Sequence, residues 1–152
     1  MKTTLAAAAA LAALASGHAA AQTTYANIGL SADDSADNFG LTGRLGYDLP
    51  SFVSVEGEAN YFFDAEVTTL TGFGRAEFAV APALSVHGRA GYGVATDFDN
   101  GEDYFAYGIG GSFGITDRAR LRADYTVYNA GGAGIDDGFL SLTYVMKFTG
   151  AR

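Results

Sequence analysis

From position 39 onward the sequence alternates between apolar and polar residues, and in six separate stretches every ionisable side chain falls on the polar side. Period-2 alternation is the signature of a β-strand whose two faces meet different surroundings. Between 39 and 48, Phe39, Leu41, Gly43, Leu45 and Tyr47 share a face opposite Arg44. Val53, Val55, Gly57, Ala59, Tyr61 and Phe63 oppose Glu56, Glu58 and Asn60, and Leu70 to Val80 in steps of two oppose Arg75 and Glu77. Val86, Gly88, Ala90, Tyr92 and Val94 oppose His87 and Arg89. Leu121, Ala123, Tyr125 and Val127 oppose Arg120, Arg122, Asp124 and Thr126; Leu140 to Phe148 in steps of two oppose Ser141, Thr143 and Lys147.

The spacing predicts eight strands, at 24–30, 39–48, 52–63, 69–80, 85–96, 104–115, 120–129 and 139–148. Most exceed the five or six residues usual in soluble sheets and match the roughly 9–11 residues of a tilted membrane-crossing strand. The connections fall into two sets. One is short, at 49–51, 81–84 and 116–119; the other is mostly longer and acidic, at 31–38, 64–68, 97–103 and 130–138. Asn100-Gly101 and Asp137-Gly138 read as tight-turn dipeptides because both residue types tolerate positive φ. Short turns at one end and long loops at the other fit an outer-membrane barrel with periplasmic turns. The predicted fold is therefore all-β, a closed antiparallel up-and-down eight-stranded transmembrane β-barrel.

Energetics set which face points where. An Arg or Lys facing lipid at mid-membrane costs roughly 2–4 kcal/mol, so the charged stripe belongs in the lumen. A soluble barrel or sandwich would reverse the faces. Small Gly and Ala residues would pack poorly as a core, and aromatics gather towards strand ends: Phe39, Tyr61, Phe63, Phe105 and Tyr107 at the loop end, and Tyr47, Phe78, Phe113 and Phe148 at the turn end. Two such belts are expected where a barrel meets the membrane interfaces.

The first residues read differently. Lys2 precedes an apolar run from Leu5 to Ala15, and the small residues Ala19-Ala20-Ala21 follow. This is the pattern of a secretory signal peptide. The run is too short for a spanning helix. The expected organisation is a cleaved signal at 1–21, a barrel at 22–148 and a short tail at 149–152, with export to the outer membrane of a Gram-negative cell. The chain has no cysteine, so no disulfides staple the fold. A formal net charge of −8 without a Lys/Arg cluster argues against nucleic acid as a partner.

The run from Tyr107 to Phe148, YGIGGSFGITDRARLRADYTVYNAGGAGIDDGFLSLTYVMKF, carries a Gly-rich sixth strand and a short turn at 116–119. An LRADY seventh strand (Leu121–Tyr125) and a last strand ending in an aromatic complete it. It resembles the closing part of the small OmpA-like and opacity-type outer-membrane barrels, which include porin-like surface proteins. The resemblance implies eight strands. It also implies recognition of the closing strand by the barrel-assembly machinery through edge pairing. Tyr144, Met146 and Phe148 fit that signal, although Thr149 to Arg152 follow.

Lumen candidates are Arg44, Glu56, Glu58, Arg75, Glu77, Arg89, Arg120, Arg122, Asp124 and Lys147. Eight strands leave an interior that side chains fill, and charges withdrawn from water must pair. A structural charge network is expected, with a narrow porin-like path as the alternative. Asp33, Asp34, Asp37, Asp64, Glu66, Asp97, Asp99, Glu102, Asp103, Asp136 and Asp137 are expected in the long loops. There they form a solvated rim or share divalent cations with lipopolysaccharide phosphates. Asp97, Asp99, Glu102 and Asp103 are weak metal candidates, since the segment lacks the twelve-residue ligand spacing and closing Glu of a calcium loop. No cofactor is expected. A lipid-modifying enzyme would need a nucleophile, base and orienting group; only Ser85, His87 and Glu77 offer one, and no catalysis is expected. The reading is a non-catalytic envelope barrel, monomeric, in contact with outer-membrane lipid and lipopolysaccharide.

Overall fold

Eight strands pair in chain order and the last returns to the first, so no sheet edge is left unpaired. The computed structural model describes residues 23–49, 52–64, 66–97, 100–129 and 136–149. The strands are β1 (Thr23–Asp33), β2 (Phe39–Asp48), β3 (Val53–Phe62), β4 (Val67–Ala81), β5 (Leu84–Asp97), β6 (Asn100–Gly114), β7 (Ala119–Asn129) and β8 (Asp136–Thr149). Every pairing is antiparallel, and β1 closes on β8 from Thr23↔Thr149 to Asp33↔Phe139. A register shift between Ala79 and Ala81 marks the turn end of β4. Closure matters physically. In a hydrocarbon solvent every backbone N–H and C=O must be satisfied within the protein, and a closed sheet does this.

The alternation resolves into two surfaces. Arg44, Glu56, Glu58, Arg75, Arg89, Arg122 and Asp124 are buried inside, while Ile28, Leu30, Leu45, Ile109, Leu140 and Leu142 stand outside. Ile28 is 68% exposed and Ile109 71%, whereas Arg122 is 1% exposed. That inverts the arrangement of a water-soluble protein, where such a contiguous apolar surface is avoided. Outward aromatics cluster at both rims. Phe52 stacks on Phe78 at 5.1 Å near the turns, and Tyr61 meets Phe63 edge-on at 5.6 Å near the loops.

The strands run further at the loop end than the sequence spacing predicts. β5 reaches Asp97 and β6 starts at Asn100, with Asp97 paired to Asn100 and Thr96 to Gly101. Asn100-Gly101 is therefore paired strand, not a turn tip. Asp137-Gly138 likewise lies in β8, paired with Tyr128 and Val127. Asp33, Asp97, Glu102, Asp103, Asp136 and Asp137 thus belong to strands rather than loops, which corrects the sequence reading. Backbone pairing continues there through polar residues without an apolar face, so hydropathy misses it. The loop-end connections shrink to 34–38, 63–66, 98–99 and 130–135, against 49–52, 82–83 and 115–118 at the other end. The expected length asymmetry is small. Thr149, expected in the tail, is the last residue of β8. The expected signal peptide lies outside the described residues.

Candidate functional site

The lumen gathers charged side chains from strands far apart in sequence. At its centre Arg44 on β2 bridges two carboxylates, with Nε 2.6 Å from Glu58 Oε2 and Nη1 2.6 Å from Asp124 Oδ2. Its Nη2 donates to Ser141 Oγ at 2.7 Å. Arg89 Nη1 reaches the same Glu58 oxygen at 2.6 Å. Arg122 spans Glu56 Oε1 and Asp124 Oδ1, the latter at 2.9 Å. These residues are withdrawn from water almost completely, and a charge there survives only when paired and hydrogen-bonded. The remaining lone pairs of Glu58 accept from Asn60 Nδ2 at 2.9 Å and Tyr128 OH at 2.7 Å.

Towards the turns the network passes from the buried Arg75–Glu56 pair to pairs with partly exposed partners. Arg75 joins Glu56 at 3.0 Å, Glu77 at 2.9 Å and Asp48 at 3.6 Å. Arg120 pairs with Glu77 at 2.7 Å, and Lys147 with Asp48 at 3.2 Å. All ten sequence-predicted lumen residues thus point inward and share one connected set of contacts. Asp48 was not among them. Its parity with Arg44 on β2 was the available signal, hidden because the strand was read as ending there.

Towards the loops the filling changes to aromatic rings. Phe62 meets Phe139 at 4.8 Å, Tyr128 meets Phe139 at 5.2 Å and Tyr104 meets Tyr128 at 5.2 Å between ring centroids. Phe73 lies beneath, with the Arg89 guanidinium 4.3 Å from its ring centroid. Alternation of apolar and charged residues does not reveal this layer, because its rings stand on the same face as the charges. The signal emerges only with the register: the inward rings of Phe62, Phe73 and Tyr104, and that of Tyr25 at the turn end, sit directly opposite Gly40, Gly91, Gly93 and Gly46. A Cβ at any of those four glycines would run into the ring beside it.

Ser85, His87 and Glu77 do not form one joined set. Ser85 Oγ donates to Glu77 and shares a hydrogen bond with Ser112, while His87 Nε2 bonds Asp124 Oδ1 at 2.6 Å. Serine and histidine therefore serve different carboxylates, and the Ser–His–Glu set is not joined. Of the four metal candidates, Asp99 lies outside the described residues, and Asp97, Glu102 and Asp103 lie on two paired strands. The Asp103 carboxylate is engaged by the outward Tyr92 hydroxyl. Among the described residues no group of three His, Cys, Asp or Glu is placed to hold a metal ion.

A closed eight-stranded barrel with an ionic lumen and an apolar exterior has a clear counterpart. The family model for the outer membrane protein beta-barrel domain matches residues 3–148. The chain belongs to that family. Solved structures with the same fold include the N-terminal barrel of Pseudomonas aeruginosa OprF (TM-score 0.70, 15% identity, 83% of this chain and 97% of that one). The Yersinia pestis protein Ail in a phospholipid nanodisc aligns at TM-score 0.58 and 15% identity, over 83% of this chain and 99% of Ail. A barrel from the de novo design of transmembrane β-barrels aligns at TM-score 0.68 and 13% identity, over 83% and 95% of the two chains. No curated protein sequence matches significantly. At such identities the neighbours show the fold alone; the family match shows an outer-membrane barrel.

Proposed function

We propose that this protein is a non-catalytic outer-membrane barrel that supports envelope integrity and presents an acidic surface at its loop end, with a lumen closed to solutes. The supporting observation is the filled interior. A ring-on-ring layer of Phe62, Phe139, Tyr128 and Tyr104 lies above the Arg44–Glu58–Asp124 centre, so a solute would have to displace both. The cost of separating buried ion pairs is several kcal/mol each. Purified protein in planar bilayers is expected to give no reproducible unit conductance. A stable conductance step would replace this reading with the narrow porin-like channel.

The exterior supports a monomer surrounded by lipid, since apolar side chains are exposed around the whole circumference. Export through the signal at 1–21 is part of the same reading, as is recognition of β8, whose Tyr144, Met146 and Phe148 face outward. The acidic loop end, with Asp34, Asp37, Asp64 and Glu66 exposed, would meet lipopolysaccharide phosphates through divalent cations. Cells lacking the gene are expected to become more sensitive to detergent and chelator, with an unchanged lipid A mass profile. An altered profile would favour a lipid-modifying enzyme.

A further inference from the structure

The charges that fill the lumen divide into two groups with different sums. In the centre Arg44, Arg89 and Arg122 face Glu56, Glu58 and Asp124, and His87 adds no negative charge. That group balances. At the turn end Arg75, Arg120 and Lys147 face Glu77 and Asp48. The Arg75–Glu56 contact links the two groups and changes neither sum. Among the described residues the turn-end group therefore carries one uncompensated positive charge.

A cavity lies beside that surplus. Arg75, Arg120, Arg122, Lys147 and Glu77 are among its walls, and it offers the centre of a water-sized sphere about 10 Å³, room for one small particle. The Glu77 carboxylate is already engaged at both oxygens. Its Oε1 accepts from Ser85 Oγ and Arg120 Nη1, and its Oε2 lies 2.9 Å from Arg75 Nη1. Arg120 and Lys147 are not used up. Arg120 donates from Nη1 to Glu77, and Lys147 donates from Nζ to Asp48 at 3.2 Å. The Nε and Nη2 donors of Arg120 and two N–H groups of Lys147 are left for another acceptor.

We propose that this turn-end cavity binds one monovalent anion of chloride size, held by Arg120 and Lys147 with Arg75 and Arg122 behind them. A cation would meet four positive groups at once. Water would fill the space and leave the surplus charge unbalanced, whereas hydrogen bonds to an ion are roughly twice as strong as neutral ones. Sulfate and phosphate exceed the room, so the site selects by size as well as sign. The ion enters from the turn end and crosses neither the Arg44 centre nor the aromatic layer.

The probe is bromide, close to chloride in size and located by its anomalous X-ray scattering. Crystals of the barrel grown in sodium bromide are expected to show an anomalous peak in the cavity, within hydrogen-bonding distance of Arg120 and Lys147. Arg120→Gln, which removes the surplus charge, should lose the peak, and Arg120→Lys, which keeps it, should retain the peak. In lipid vesicles the urea midpoint should be higher in sodium chloride than in sodium gluconate of equal ionic strength, because gluconate is too large to enter. That difference should vanish in Arg120→Gln. Density without anomalous signal would mean water and overturn the site. A peak that persists in Arg120→Gln, or a peak with no midpoint difference between the two salts, would mean an adventitious ion only and overturn it as well.

Discussion

His87 on β5 and Asp124 on β7 meet at 2.6 Å across the strand between them, over Gly110 of β6. The contact depends on the missing side chain. A Cβ at position 110 would stand 2.6 Å from His87 Nε2, 2.8 Å from Asp124 Oδ1 and 2.5 Å from the Ala123 carbonyl oxygen. Gly110→Ala is expected to destabilise the barrel by about 1–3 kcal/mol through overpacking. Urea unfolding in lipid vesicles measures it. Part of the cost should disappear in a His87→Ala background, and the share set by the Ala123 carbonyl should remain.

Asp124 serves three partners, Arg44, Arg122 and His87. Asp124→Ala leaves buried cations uncompensated, and a loss of about 3–5 kcal/mol is expected. Asp48, in contrast, pairs with Lys147 where both are about a quarter exposed, at 28% and 29%. Lys147→Ala is expected to cost no more than about 1 kcal/mol. The same unfolding assay compares the two; equal costs would mean that the central network does not differ in kind from the turn-end pairs.

The aromatic layer should carry stability as well as closure. Phe62 is 4% exposed and packs on Phe139. Phe62→Ala is expected to cost about 3–5 kcal/mol, the range for a large ring removed from a packed site. In planar bilayers this variant alone should stay silent, because the ion pairs beneath still fill the lumen.

On the outside, charge should be penalised by depth. Ala123 faces outward midway along β7. Ala123→Arg is expected to lose roughly 2–4 kcal/mol on folding into a bilayer, and a similar change near the rim only about 0–1. Folding yields into vesicles, read as the heat-sensitive mobility shift on a gel, follow this difference.

The strands and their faces were legible because alternation and charge report the same boundary. Arg44 and Glu58 could be assigned to the lumen from parity alone. Their bond to one another, and that of Arg44 to Asp124 eighty positions away, could not. Parity says which side a residue is on and nothing about which neighbour it reaches. The inward rings escaped for another reason. Tyr25 and Tyr104 count as apolar in a hydropathy pattern, yet each packs over a glycine on the adjacent strand, a relation visible only once register is known. Strand ends failed at Asn100-Gly101 and Asp137-Gly138 because turn preference is local, while continued pairing with Thr96 and Tyr128 is decided by the partner strand.

A membrane barrel of this kind requires the apolar stripe of each strand to touch hydrocarbon. The chain has no cysteine, so single cysteines at Val55, Ala90 and Ala123 would be unique sites for spin labels. In reconstituted bilayers the labels are predicted to be open to lipid-dissolved oxygen and shielded from a water-soluble nickel chelate. Labels screened from both reagents in a detergent-free soluble form would place that stripe inside a protein core and contradict the account.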